Sequence, residues 1–172
     1  ITGESYKSKI KRLIKILKKN KLDYLFVSSG ENVCWLLNIR GKDLPNSPVA
    51  NCNIILTKDE KIYFFSKLIK IKKIKKKFHN QKIFFYDEEN LFEILSSIKP
   101  GNFCIDKQTC SIFNEELIKS KFKVKEKTDP IYLLKSIKNK IEIKNMVKAH
   151  IEDGVALTKF LFWIKSLNKL NL

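Results

Sequence analysis

Arginine is all but missing from this chain. Of 35 basic residues only two, Arg12 and Arg40, are arginines, and with 18 acidic residues the formal net charge is +17. A charge of that size raises nucleic acid or an anionic membrane as a partner, because clustered cations release counterions on binding phosphate. The kind of charge argues against it. Base readout favours the bidentate fork of arginine, and single-strand platforms interleave cations with stacking aromatics, whereas these lysines are scattered along polar faces. Isoleucine and asparagine are also abundant, so the bias reads chiefly as an AT-rich coding signature. One concentrated run remains, KLIKIKKIKKKFHNQK from Lys67 to Lys82. Its Leu68, Ile71 and Ile74 recur at helical spacing beneath a cationic face, which predicts a solvated surface helix, with an anion-binding patch as the alternative.

Other absences narrow the chemistry. There are two histidines, His79 and His150, and neither has a second ligand at metal spacing; His150 is expected as a hydrogen-bonded packing residue. The four cysteines, Cys34, Cys52, Cys104 and Cys110, form no CxxC pair and sit in apolar segments, so they read as reduced core residues. GxGxxG, GxxxxGK[ST], HExxH and GxSxG are all missing, which leaves nucleotide-binding, zinc-protease and serine-hydrolase readings without an anchor. Asp87, Glu88 and Glu89 read as capping acids at a helix start, and Asp153 as structural. We therefore expect no catalytic and no metal-binding residue in this chain. No stretch approaches the ~20 apolar residues of a membrane helix, and the start, ITGESYKSK, lacks the apolar core of a secretory signal. The expected location is cytoplasmic, with no membrane partner.

What is present is an alternating pattern. Tyr6, Ile10, Leu13, Ile14 and Leu17 form a helical stripe with lysines opposite, ending near Asn20. DYLFVSS is a buried strand; NVCWLLN is a short helix broken at Gly41; and Val49 to Lys67 reads as a hairpin around TKDEK. Then come the basic helix, a strand at 82–87, a helix in EENLFEILSSI, the strand NFCIDK, a helix in CSIFNEELIKS and an edge strand in KFKVKEK. Strands alternating with helices predict an α/β domain with a mixed sheet and helices on both faces. After Pro130 the composition shifts, and IYLLKSIKN leads into a long helix from about Lys140 to Leu170 with a broad apolar stripe that includes Ile143, Val147, Ile151, Leu157 and Leu161.

Two segments carry a resemblance. ENVCWLLNIRGKDLPNSPV resembles a segment of the X-Pro aminopeptidases (aminopeptidase P), with Trp35, Leu36, Leu37, Asn38, Arg40, Gly41, Asp43, Asn46, Pro48 and Val49 fitting. About 95 residues later, KSIKNKIEIKNMVKAHIEDGVALTKFLFWI is similar to that family's linker and first catalytic-domain helix, through residues such as Asn139, Glu142, Gly154 and Trp163. The segment departs from the pattern after Val49, where ANCN replaces aromatic residues.

The resemblance implies a creatinase/prolidase N-terminal-like domain at residues 1–130. Residues 131–172 would be the linker and first helix of a truncated pita-bread metallopeptidase domain. The implied function is that of the non-catalytic N-terminal part of an enzyme that removes the residue before proline with a dimetal-activated water. Its two divalent ions, manganese by family habit, would be held by downstream residues, with none in this chain. The implied partners are its own downstream catalytic domain, a peptide with proline in second position and a second copy in a homodimer. ITGESY reads as a linker from a preceding domain. Arg40 and Trp35 are the substrate-side candidates. Alternatively, Arg40 caps the NVCWLLN helix or pairs with Asp43, and Trp35 is a core anchor. The rival readings are a stand-alone scaffold module of the same fold and a basic nucleic-acid-binding protein.

Overall fold

The computed structural model describes residues 2–78 and 82–167, so His79 lies outside the described residues. The chain divides into two compact units, Ser5–Ser136 and a second made of Ile1–Glu4 with Ile137–Leu172. In the first, helix α1 (Tyr6–Lys19) starts at Ser5, whose hydroxyl accepts from the Ser8 N–H, and ends at Asn20 as its pattern predicts. Its stripe of Ile10, Leu13, Ile14 and Leu17 is buried, and so, against expectation, is Lys9.

The remaining elements of this unit are β1 (Tyr24–Val27), α2 (Gly30–Leu37), β2 (Asn53–Thr57), β3 (Ile62–Phe65), α3 (Leu68–Lys75), β4 (Ile83–Tyr86), α4 (Leu91–Ser97), β5 (Asn102–Ile105), α5 (Ile112–Lys119), β6 (Lys123–Glu126) and α6 (Pro130–Ser136). The six strands form one sheet in the order β4-β3-β2-β1-β5-β6. It is mixed as expected: β1–β2 and β2–β3 are antiparallel, whereas β1–β5, β3–β4 and β5–β6 are parallel. The hairpin turn lacks an Asn-Gly pair and instead places Glu60 at φ 67°. Edge strand β6 exposes Lys123 and is only half-buried at its centre, and charge of this kind discourages strand addition.

Side chains alternate across the sheet as the pleat requires. Leu25, Val27, Ile54, Leu56 and Phe64 pack on one face with α1, α2 and α6, joined by Ile71 of α3. Phe26, Ile55, Phe65, Phe103 and Ile105 pack on the other with Leu91 and Leu95 of α4 and Ile118 of α5. Asp87 accepts from the Glu89 and Leu68 N–H groups, which is the capping role expected of that acidic stretch. The sequence change at Pro130 coincides with the start of α6, whose Ile131 is fully buried in the first unit. Asp129 anchors this helix by accepting from the Ile131 N–H at 2.9 Å and from Asn32 Nδ2 at 2.8 Å, although burial pushes its carboxyl above the usual range.

The second unit is dominated by α7 (Lys140–Leu167). Asn139 Oδ1 accepts from the Ile141 and Glu142 N–H groups, and Glu142 Oε2 accepts in return from the Asn139 N–H, a reciprocal capping box. The helix buries none of its described residues. His150, expected to pack, is exposed together with Val147 and Ile151, because nothing among the described residues covers that face.

Candidate functional site

The WLLNIRGKDLPNSPV segment forms the end of α2 and a tight loop that returns to β2. The helix stops at Leu37, four residues before Gly41, because Asn38 adopts the left-handed conformation (φ 53°) that asparagine tolerates and that closes helices. Its N–H and that of Ile39 return to carbonyls of the last turn. Gly41 has a different task. A Cβ there would lie 2.5 Å from Ala50 Cα, and a Cβ at Gly30 would lie 2.4 Å from Ala50 O. Ala50 is thus held between two glycines, one at the start of α2 and one in the loop. Backbone bonds from the Gly41 N–H to Pro48 O and from the Asp43 N–H to Val49 O zip the loop shut.

Three lysines from other elements grip this loop. Lys9, 1% exposed, donates from Nζ to Trp35 O at 2.8 Å and to Asn38 Oδ1 at 2.7 Å, and lies 4.1 Å above the Trp35 ring. Lys77, in the 3-10 turn after α3, donates to Asn38 O at 2.6 Å. These cations meet the negative end of the α2 dipole. Lys70 of α3 pairs with Asp43 at 2.7 Å, and Asp43 also accepts from the Asn51 N–H. The Lys70 hydrogen bond, helped by Asn51, holds the Asp43 carboxyl below the usual carboxylate range.

The two structural roles considered for Arg40 are therefore filled by lysines. The left-handed turn at Asn38 carries the chain away from the helix axis before Arg40, so α1 and the turn after α3 reach the helix end instead. Arg40 is exposed, and among the described residues its guanidinium has no hydrogen-bond or ion-pair partner. Trp35, the other candidate, is half-buried on the core beneath Lys9. Beside the loop lies a cleft of about 420 Å³ whose lining includes Gly30, Glu31, Val49, Asn51, Cys52 and Phe65. Within the basic run, Lys70 and Lys77 are engaged with the loop while Lys72, Lys73, Lys75 and Lys76 are exposed.

Sequence reasoning missed Lys9, Lys70 and Lys77 as loop anchors. Lys9 had a legible signal, since it lies three residues after Tyr6 and four before Leu13, on the buried face of α1. Among the described residues no three His, Cys, Asp or Glu side chains are grouped to hold a metal. No helix among the described residues is long and apolar enough to cross a membrane.

Comparison with known proteins decides the family. The model of the creatinase/prolidase N-terminal domain matches residues 1–142. The chain belongs to this family. Among curated relatives of this creatinase/prolidase N-terminal domain protein, Xaa-Pro aminopeptidase 1 of Dictyostelium discoideum is 34% identical over 167 residues, covering 95% of this chain and 26% of its own. A relative from Laccaria bicolor, named as a probable Xaa-Pro aminopeptidase P, is 28% identical over 172 residues. Among solved structures, X-prolyl aminopeptidase from Caenorhabditis elegans, described as a cytosolic enzyme with a di-nuclear active site, superimposes with a TM-score of 0.80 at 24% identity. That match covers 96% of this chain and 28% of the enzyme. The creatinase/prolidase-like N-terminal domain of a Corynebacterium diphtheriae protein gives a TM-score of 0.56 at 15% identity over 72% of this chain and 97% of that domain. The mixed-sheet fold and the X-Pro aminopeptidase resemblance read from the two motifs are thereby shown. The chain spans about a quarter of the length of the curated relatives it matches.

Proposed function

We propose that this chain serves as the non-catalytic N-terminal part of a cytoplasmic X-Pro aminopeptidase, residues 131–172 leading into the catalytic domain. The whole enzyme would remove the residue that precedes proline at a peptide N-terminus. Its two divalent metal ions, manganese in this reading, would lie on residues outside these 172, and it would act as a homodimer. The supporting observation is Arg40. A loop held by Lys9, Lys70 and Lys77 and closed on Ala50 leaves its one arginine exposed and without a partner among the described residues. A rigid loop that presents a planar fork of donors suits recognition of a peptide carbonyl or carboxylate, and Trp35 keeps that loop on the core.

Arg40→Lys in the full-length enzyme tests this. Lysine keeps the charge and loses the fork, so the expected result is a fall in kcat/KM for X-Pro peptides of roughly 10- to 100-fold, the scale of one charge-assisted hydrogen bond. The melting temperature should stay unchanged, because Arg40 anchors nothing in its own domain. Unaltered kinetics would refute a substrate role for Arg40.

A further inference from the structure

Cys34 in α2 and Cys52 just before β2 stand at the two ends of the signature loop, and their sulfurs meet at one residue. The Ala50 N–H donates to Cys34 Sγ at 3.3 Å, and the Cys52 thiol donates to Ala50 O at 3.4 Å. Both side chains are largely buried, and Cys52, which shares Ala50 with Cys34, lines the cleft of about 420 Å³ beside the loop. All four cysteines are free thiols.

We propose that Cys34 and Cys52 form an oxidisable dithiol, which hydrogen peroxide converts to a disulfide across the root of the signature loop. The Cys34 thiolate attacks one peroxide oxygen, the O–O bond breaks, and the departing hydroxide takes up the proton that Cys34 released, leaving a sulfenic acid and one water. The Cys52 sulfur then attacks the Cys34 sulfur, and the sulfenic oxygen leaves as a second water with the Cys52 proton. Two thiols are oxidised and one peroxide is reduced.

The local electrostatics give each sulfur its role. The hydrogen bond from Cys52, with that of the Ala50 N–H, draws the Cys34 thiol below its usual range, against burial and the Asp43 carboxylate. The same bond and its own burial push Cys52 up, with Lys70 opposing. Cys34 is therefore the attacking thiolate and Cys52 the thiol that keeps its proton until the second step. Burial raises Cys104 and Cys110 to about 11, which leaves them as inert references in the same molecule. This chemistry stands independently of the proposed function.

The test treats the folded chain with hydrogen peroxide at neutral pH, quenches with acid, blocks remaining thiols with N-ethylmaleimide and digests with trypsin. Cleavage after Lys21, Arg40, Lys42 and Lys58 separates the two cysteines onto peptides Leu22–Arg40 and Asp43–Lys58. The expected product is these two peptides joined, lighter by two hydrogens than their sum and parted by dithiothreitol, with Cys104 and Cys110 still blocked. Cys34 should be consumed at least about tenfold faster than Cys104 or Cys110, as its greater thiolate fraction requires. In Cys52→Ser, oxidation should stop at a Cys34 sulfenic acid that dimedone traps; in Cys34→Ser, Cys52 should remain unreacted at the same dose. The proposal is overturned if the joined peptide is missing from the folded chain, if it forms only in urea, or if Cys104 and Cys110 oxidise at the same rate.

Discussion

Replacing Gly41 with alanine puts the packing of the signature loop to a direct test. The new Cβ would lie 2.5 Å from Ala50 Cα and 2.6 Å from both Ala50 N and Ala50 Cβ. None of these atoms belongs to a flexible side chain that could swing aside. Ala50 is 5% exposed, and Gly30 blocks its retreat, since its backbone already approaches Ala50 O too closely for any Cβ. Overpacking usually costs 1–3 kcal/mol, and a clash of backbone on backbone falls at the upper end, about 3 kcal/mol. With a urea m-value of about 2 kcal/mol/M for a domain of this size, the unfolding midpoint should drop by about 1.5 M. The assay is urea unfolding followed by far-UV circular dichroism. Adding Ala50→Gly removes only one of the three close atoms, so it should restore less than half of the loss. A midpoint shift under about 0.3 M for Gly41→Ala, or full rescue by Ala50→Gly, would refute the reasoning.

Gly154→Ala is the opposite case, because nothing lies within 4 Å of a Cβ at this helical position; it should raise the thermal stability of α7 helicity by the equivalent of about 0.5–1 kcal/mol. Asn38→Ala should cost about 1–3 kcal/mol in urea unfolding, through the left-handed backbone and the Oδ1 acceptor withdrawn from buried Lys9. Asp23 is held below its usual value of 3.8 chiefly by Lys58 and then by the Asn102 N–H, so its contribution is present above pH 3.8 and is lost as pH falls through the depressed folded value. Asp23→Asn should therefore destabilise the chain at pH 6 by about 1 kcal/mol and progressively less below pH 3.8, as read from urea midpoints across that range.

The elements of the fold were legible because they rest on local periodicity. The stripe from Tyr6 to Leu17, the apolar runs of β1 and β2 bounded by turn residues and the cap at Asp87 each follow from neighbours in sequence. Two motifs were enough to reveal the family. The anchoring of the site was not legible, because it depends on contacts between distant parts of the chain. Gly41 looked like a helix breaker, whereas its need arises from Ala50, which folds back onto it. The lysines of α1 and α3 all looked like solvated charge, and only the tertiary packing separates Lys9 and Lys70 from their exposed neighbours. Arg40 stood out by its rarity and by its place in the motif, and that it has no partner among the described residues follows from where the other cations go.

The order of the strands also has a consequence for how the molecule is made. Central strand β1 pairs with β2 and with β5. The partner residues Tyr24 and Phe103 lie about eighty residues apart, so closing this pair requires a long excursion of chain. During synthesis the β1–β2–β3 meander can form early, but one side of β1 stays unpaired until β5 has left the ribosome. Throughout that interval Leu25, Phe26 and Val27 border an open edge, the kind of surface that draws in stray strands and chaperones. The sheet is thus most vulnerable at its eventual centre, and that vulnerability ends when β5, just past residue 100, has emerged.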